Sequence, residues 1–140
     1  MLRSEKGFSL MEILVALFII GLFAGGAAVG VKKISDGAKK KRAIQDIRVL
    51  AAAIDQFEMD NGIYPKGIEE LVNDPGDLPD YQPGGYLNKR EVPKDPWKHE
   101  YLYVREGAPD DAPYDLLSYG ADGSEGGDGK EKDIRLSELD

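Results

Sequence analysis

The feature that most constrains this chain is one long apolar segment near its amino end. Residues 8–31, from Phe8 to Val31, contain no proline and would form a helix of about 24 residues and roughly 36 Å. That length is enough to cross the hydrocarbon core of a bilayer, which is about 30 Å thick. The segment therefore predicts a transmembrane helix over residues 8–31.

A single acidic residue, Glu12, interrupts this apolar segment. Even lenient insertion scales assign about 2.5–3.5 kcal/mol to a carboxylate at the centre of a spanning helix, and such residues usually serve a function. Glu12 therefore requires a partner that neutralises its charge.

A cleaved secretory signal is the alternative interpretation of the segment. The small residues of "AGGAA" (residues 24–28) would suit a signal peptidase that cuts after Ala28. The apolar run is longer than that of an ordinary signal, and a charge near its start is unusual. These two properties favour the membrane helix.

The helical pattern continues beyond the apolar segment, because apolar residues recur at spacings of three and four up to Phe57. These are Ile34, Ala43, Ile44, Ile47, Leu50, Ala51, Ile54 and Phe57. "DNG" (residues 60–62), followed by Pro65, supplies the stop, with glycine in the left-handed cap position. We therefore expect one helix of about 52 residues, whose second half (residues 32–61) is amphipathic and packs on a compact head.

The head, residues 62–140, combines a short helix with a few strands. "IEELV" (residues 68–72) predicts the helix, and the prolines and glycines of residues 75–96 predict irregular structure. "EYLYV" (100–104), "YDLLSY" (114–119) and "DIRL" (133–136) are strand-like and predict a small antiparallel sheet. The fold class is α+β, and the predicted core contacts from this part of the head are Trp97, Tyr101, Tyr103 and Leu116 or Leu117.

Composition argues against several functional classes. The chain has no cysteine, so disulfides and zinc–thiolate sites are excluded, and its net charge of −8, concentrated in an acidic C-terminal region, argues against nucleic acid as a partner. A Ser/His/Asp triad would have to recruit His99, the one histidine, and no nucleophile-elbow motif is present. We therefore expect a protein that is not an enzyme.

A basic run follows the apolar segment, from Lys32 to Arg42. It can be a solvated helix face, a contact to anionic headgroups, or a complement to acids on adjacent subunits. Taken alone, the positive-inside rule would place the head in the cytoplasm.

A glycine-rich acidic loop occupies residues 117–133, "LSYGADGSEGGDGKEKD", and is called the acidic loop below. It has no hydrophobic residue after Ala121, so burial cannot order it, and composition alone favours a solvated, disordered loop. Its hard oxygen ligands would otherwise suit calcium better than zinc or magnesium. Ser124 and Gly126 occupy positions three and five, where the EF-hand motif has Asp or Asn, and no helix flanks the loop, so the loop is not an EF-hand.

The amino-terminal motif "KGFSLMEI" (residues 6–13) resembles the class III signal of type IV pilin-like proteins. This resemblance implies that a prepilin peptidase removes a leader, residues 1–7, by cutting between Gly7 and Phe8, and methylates the new amine. It also implies that Glu12, fifth in the mature chain, pairs with the α-amine of Phe8 on a neighbouring subunit. The leader side would stay cytoplasmic and the head would be exported, against the positive-inside rule.

The C-terminal half carries a second likeness. The acidic loop, together with "VPKDPW" (residues 92–97) and the pair Tyr64 and Pro65, resembles the major pseudopilins of type II secretion. That family binds one Ca²⁺ in this loop. The resemblance implies that the side chains of Asp122 and Asp128 and the backbone carbonyl of Tyr119 bind the cation. Two further candidate ligands are Ser124 and Asp133.

The resemblance also implies a function. Such a chain is a structural subunit that is made as an inner-membrane precursor and polymerised into a periplasmic helical homopolymer. Its partners would be minor pseudopilins, the inner-membrane assembly platform, the prepilin peptidase and the membrane itself. Gly25 and Gly26 are the expected place for the helix to soften in a filament. The alternatives are a type IV pilin of a surface fibre and a membrane-anchored calcium-binding or hydrolytic domain of the periplasm.

Overall fold

The structure is a computed structural model that describes residues 8–106 and 108–139, without the side chains of residues 24–34. The chain divides into two compact units after Asp36. Its helix and strands are, in chain order, α1 (Leu10–Asn61), β1 (Leu102–Val104), β2 (Asp115–Ser118) and β3 (Ile134–Arg135). Short 3-10 helices lie at Ile68–Leu71, Pro109–Asp111 and Leu136–Glu138.

The ends of α1 follow local sequence signals. Ser9 precedes the helix, and its Oγ accepts a hydrogen bond from the backbone N–H of Glu12 at 3.2 Å, as an N-cap does. At the other end, Gly62 adopts φ 71°, and its N–H donates to the carbonyl of Glu58 at 2.7 Å. The left-handed glycine therefore ends the helix where "DNG" predicts it, and the predicted helix of 52 residues is confirmed.

The first unit contains the amino-terminal part of α1. Its described apolar side chains are exposed, and Phe8, for example, is 78% exposed. Within the described residues, no helix combines the length and the hydropathy that crossing a membrane requires. The predicted segment 8–31 runs into residues 24–34, whose side chains lie outside the description. Ala28 and Ile34 are among these residues, and Gly25 and Gly26 are described only as helical backbone. The predicted leader, residues 1–7 with Gly7, lies outside the described residues.

The core of the second unit is built on one face of α1. The predicted stripe is confirmed from Ala43 onward, because side chains at spacings of three and four are buried and Ile44 is half-buried against them. The buried helix residues are Ala43, Ile47, Leu50, Ala51, Ala53, Ile54 and Phe57. Apolar residues at this spacing form a continuous surface that the head can cover.

The sheet is antiparallel, with strand order β1-β2-β3. Leu102 pairs with Leu117, and Leu117 pairs with Arg135. All three predicted strands exist, although each is shorter than its β-rich run. Among the predicted core contacts, Tyr101, Leu116 and Leu117 are buried, whereas Trp97 and Tyr103 are half-buried at the edge of the core.

The segment between Leu71 and Leu102 is irregular, as its prolines and glycines predict. Within the described chain its regular pairing is one isolated bridge between Lys94 and Glu100. Tyrosines attach this segment to α1: the ring of Phe57 lies 5.1 Å from that of Tyr86 and 6.2 Å from that of Tyr81, between centroids. Aromatic contacts thus replace strand pairing here.

Candidate functional site

Glycines determine the path of the acidic loop between β2 and β3. Gly120, Gly123, Gly126, Gly127 and Gly129 all have positive φ, which favours glycine. A Cβ on Gly120 would lie 2.9 Å from the carbonyl oxygen of Glu131, and one on Gly127 would lie 2.6 Å from it. The loop backbone therefore approaches itself closely at two places where no side chain fits.

Hydrogen bonds across the acidic loop close it into connected turns. The N–H of Ala121 donates to the carbonyl of Lys130 at 3.1 Å. Gly126 donates to Oδ1 of Asp133 at 3.1 Å, and Asp133 returns a bond from its N–H to the carbonyl of Gly126 at 3.3 Å. The loop thus has a defined path, held by backbone bonds and turn residues instead of burial.

The predicted calcium ligands lie along these turns. Asp122 and Asp128 are exposed, and each accepts a bond from a nearby backbone N–H, that of Ser124 at 3.3 Å and that of Gly129 at 2.9 Å. Tyr119 is half-buried at the start of the loop, where β2 has ended. The structure therefore places all the candidates in one loop, with two carboxylates facing water.

Within the part of the chain that the structure describes, no three or more histidine or carboxylate side chains gather into a metal-holding group. A site made of two carboxylates and backbone carbonyls does not need such a group. The oxygen donors of such a site are of the kind that Ca²⁺ prefers, and a flexible loop can accommodate the irregular coordination of Ca²⁺. The ligand set of Asp122, Asp128 and the Tyr119 carbonyl, with Ser124 and Asp133, stays a prediction.

Buried polar residues support the start of the loop. Asp95, whose side chain is fully buried, accepts bonds at Oδ1 from the N–H groups of Trp97 at 3.0 Å and His99 at 2.8 Å. Its Oδ2 accepts the hydroxyl proton of Ser118 at 2.6 Å. Sequence reasoning did not single out Asp95 or Ser118, although "VPKDPW" contains the first. We call Asp95, Ser118 and His99 the Asp95 cluster.

The Asp95 cluster contains the three residue types of a hydrolytic triad in an order that does not serve one. In a triad the histidine lies between the acid and the nucleophile. Here Asp95 bonds directly to Ser118, which is fully buried, and Nδ1 of His99 lies 3.1 Å from the carbonyl oxygen of Gly120. The cluster therefore holds backbone in place and offers no accessible nucleophile.

Arg135 holds the far end of the acidic loop. Its guanidinium lies 3.6 Å from the carboxylate of Asp115, 3.7 Å from that of Glu125 and 3.8 Å from that of Asp133. Asp115 is buried on β2, so this arginine joins the sheet to two acids of the loop. Nothing in the spacing of these residues identified Arg135 in advance.

The amino end of the described chain carries the predicted assembly residues. Phe8 and Glu12 are both exposed, and Glu12 lies in the first turn of α1, where the helix dipole favours an anion. Both side chains are therefore available for contacts outside the chain. Gly7, the other predicted processing residue, lies outside the described residues.

Comparison with known families decides between the candidate classes. The family described as "Type II secretion system (T2SS), protein G" matches residues 31–137, and the "Prokaryotic N-terminal methylation motif" matches residues 2–28. The chain belongs to the type II secretion protein G family. The resemblance to major pseudopilins is thereby confirmed. The two matched regions are separated only by residues 29 and 30.

Individual relatives agree with this assignment to the protein G family. The type II secretion system core protein G of Vibrio cholerae is 36% identical over 138 residues, which cover 95% of this chain and 92% of the relative. That of Pseudomonas aeruginosa is 40% identical over 138 residues, covering 94% of each chain.

A solved protein of the same type has the same fold. The crystal structure of the major pseudopilin from the type 2 secretion system of enterohaemorrhagic Escherichia coli matches with a TM-score of 0.61 and 28% identity. The match covers 76% of this chain and 88% of that one. The predicted α+β fold, a long amino-terminal helix with a small antiparallel sheet, is therefore confirmed for this family member.

Proposed function

We propose that this chain is the structural, non-enzymatic subunit of a type II secretion pseudopilus, a periplasmic filament that helps to push folded proteins through the outer membrane. The observation that carries the proposal is the protein G match over residues 31–137, preceded by the methylation motif over residues 2–28. The exposed apolar side chains of residues 8–23 support it, because a helix with such a surface requires a partner.

The proposal includes the assembly chemistry that the amino-terminal motif implies. A prepilin peptidase cuts between Gly7 and Phe8 and methylates the new amine, and the carboxylate of Glu12 then pairs with that amine on a neighbouring subunit. The pair offsets the cost of a charge in an apolar environment, and low dielectric strengthens its attraction. The pairing therefore sets the register of the helical homopolymer.

The proposal also includes a location. The precursor is held in the inner membrane by residues 8–31 with its head in the periplasm, and mature subunits enter the filament from the membrane. The partners are other copies of the chain, minor pseudopilins, the assembly platform and the prepilin peptidase. The exposed apolar side chains between Phe8 and Phe23 support this location, since they suit both lipid and neighbouring helices.

We further propose that the acidic loop binds one Ca²⁺ through Asp122, Asp128 and the carbonyl of Tyr119, with Ser124 and Asp133 as additional candidates. These oxygens would hold the cation, which would connect turns that bury no apolar surface. A ligand that binds only the folded state adds about 2.7 kcal/mol at roughly a hundredfold excess over Kd. That is a large share of the stability of a small domain without disulfides.

Thermal unfolding tests the calcium proposal. The purified protein should melt several degrees lower in chelator, and calcium should restore the melting temperature more fully than magnesium. The double variant Asp122→Ala and Asp128→Ala should lose this response. The double variant Asp80→Ala and Glu91→Ala, which removes the same charge from exposed residues outside the loop, should keep it. A melting temperature that chelator leaves unchanged would contradict the proposal.

Electron microscopy and secretion together test the function. Overexpressed in a cell with its own secretion system, the protein should form filaments, and its deletion should abolish export of the secreted proteins. Filaments that appear as surface fibres, with secretion unaffected by the deletion, would contradict the pseudopilus and favour a type IV pilin.

A further inference from the structure

We propose that the Asp95 cluster positions the start of the acidic loop and thereby fixes the direction of the Tyr119 carbonyl, which is one of the predicted calcium ligands. Among the described residues, the side chains of Asp95, Ser118 and His99 make no hydrogen bond to a predicted ligand oxygen, so they are positioning residues. The inference rests on the calcium proposal above and adds to it the residues that shape the site.

The side chain of Asp95 is fully buried. A buried carboxylate is tolerated only when hydrogen bonds replace its water. Oδ1 of Asp95 accepts from the N–H groups of Trp97 and His99, and Oδ2 accepts from Ser118. One carboxylate therefore joins the turn at residues 95–99 to the last residue of β2, which lies 23 positions further along the chain.

The hydroxyl of Ser118 both donates and accepts a hydrogen bond. It donates to Asp95 at 2.6 Å and accepts from the N–H of Gly120 at 3.2 Å. Because its proton is committed to Asp95, its lone pairs are free to face Gly120. The direction of the Gly120 N–H is thus determined by Asp95 through Ser118.

The geometry of the peptide bond relates the Gly120 N–H to the Tyr119 carbonyl. The N–H of Gly120 and the carbonyl of Tyr119 belong to the same peptide unit, which is planar and trans. Their bonds therefore point in opposite directions, so the contact that directs the Gly120 N–H toward Ser118 directs the Tyr119 carbonyl away from it. Ser118 consequently sets the orientation of one predicted calcium ligand without touching the cation.

The next peptide unit is held as well. Nδ1 of His99 lies 3.1 Å from the carbonyl oxygen of Gly120, and since a carbonyl only accepts, Nδ1 carries the proton. The same imidazole lies under Gly123, where an added Cβ would come within 3.0 Å of the ring. His99 therefore contacts the loop on both sides of Asp122.

Outer partners of metal ligands typically account for ten- to a hundredfold in metal affinity, because they hold the ligands in the bound geometry. We expect Ser118→Ala to weaken calcium binding by about tenfold or more. His99→Ala should also weaken it, and it leaves the core intact because the imidazole is 38% exposed. His99→Asn should recover most of the affinity, because the asparagine amide can donate to the Gly120 carbonyl in place of Nδ1.

The experiment is a calorimetric calcium titration of the full-length mature protein in detergent. It compares the wild type with Ser118→Ala, His99→Ala and His99→Asn, and with Tyr114→Phe as the control. Tyr114→Phe removes the hydroxyl that bonds to Ala51 and Asp55 of α1, and among the described residues this hydroxyl makes no hydrogen bond to residues 118–120. The variant should therefore lower the melting temperature and leave the calcium Kd unchanged.

The outcomes separate the two proposals. A weakened Kd in Ser118→Ala and His99→Ala, with recovery in His99→Asn, supports the positioning role. Wild-type affinity in both alanine variants overturns that role and leaves the calcium site standing. A wild-type protein that binds no calcium overturns both proposals. An equal loss of affinity in Tyr114→Phe would show that general destabilisation is the cause, which also overturns the positioning role.

Discussion

Tyr114 donates a hydrogen bond from its hydroxyl to Oδ1 of Asp55 at 2.8 Å, which ties the start of β2 to α1. A second bond, from Tyr101 to Oδ2 of Asp46 at 3.1 Å, does the same beside β1. At about 100° per residue, Asp46 and Asp55 lie on opposite edges of the buried stripe of α1. The sheet is therefore fastened to the helix on both sides of the core.

Removing one of these bonds should measurably destabilise the head. Tyr114→Phe keeps the ring, which lies 5.6 Å from that of Tyr64 between centroids, and deletes the hydroxyl. A hydrogen bond to a charged acceptor contributes about 1.5–3 kcal/mol, and Asp55 is exposed enough to regain water. We expect the free energy of unfolding to fall by about 1–2 kcal/mol in chemical denaturation.

Tyr64→Phe is the matched control for that measurement. Tyr64 belongs to the same aromatic group and is half-buried, and its hydroxyl makes no hydrogen bond within the described chain. Its substitution should change the free energy of unfolding by less than about 0.5 kcal/mol. A loss of similar size in both variants would show that ring packing, and not the bond to Asp55, is responsible.

The head should lose stability at alkaline pH. Burial raises the pKa of Tyr103 to about 12, and burial together with Asp46 and Asp55, respectively, raises the pKa values of Tyr101 and Tyr114 further. Because these phenols are held neutral in the folded state, their contribution is complete below the unfolded pKa, about 10. It is lost as pH rises from there through the folded values, which a melting series from pH 8 to 12 would record.

Tyr103→Phe isolates one part of this dependence. The Tyr103 hydroxyl is buried and has no hydrogen-bond partner among the described residues, so its removal should cost little at neutral pH. The variant should melt within a few degrees of the wild type at pH 8 and lose less of its stability by pH 12. A fall with pH as steep as that of the wild type would mean that Tyr103 does not contribute.

Two glycines of the acidic loop should respond very differently to alanine. Gly127→Ala combines a φ of 79° with a Cβ only 2.6 Å from a backbone carbonyl, and we expect a loss of about 2–4 kcal/mol. Gly129→Ala has a φ of 61° and open space around the new methyl, so the loss should be about 1 kcal/mol. Equal losses by thermal unfolding would contradict the close backbone approach at Gly127.

The charge of Glu12 should be required for assembly, whereas insertion should proceed without it. Glu12→Leu should ease insertion by about 2 kcal/mol and still prevent ordered filaments, because the amine of Phe8 loses its partner. Glu12→Gln, which keeps the shape and removes the charge, should fail in the same way. Electron microscopy of filaments would decide this, and normal yield and symmetry in either variant would show that charge pairing is not required.

Much of the fold could be predicted because its signals are local. The stripe from Ala43 to Phe57 depends on a repeat within one helix, and the Gly62 stop depends on two or three neighbouring residues. The short β-rich runs predicted that the three strands exist. They did not predict where each strand ends, because pairing partners decide where a strand stops. Leu102 begins β1 opposite Leu117, two residues after the β-rich run starts.

The supports of the candidate site could not be predicted, because they join residues that are far apart in sequence. Asp95 bonds to Ser118, which lies 23 positions further along the chain, and Arg135 on β3 pairs with Asp115 on β2. The acidic loop itself could be recognised by its composition and its likeness to a family. The orientation of the Tyr119 carbonyl depends on neighbours that no local pattern identifies.

The intact mass of the mature protein from native membranes is the decisive measurement, because the proposed function requires cleavage between Gly7 and Phe8 before the chain polymerises. We predict a chain that begins at Phe8 and carries one added methyl group. Gly7→Leu should leave the precursor uncut in the membrane, as a control for the peptidase. A mature chain that begins near Val29, or an unprocessed chain in assembled filaments, would contradict the proposed function.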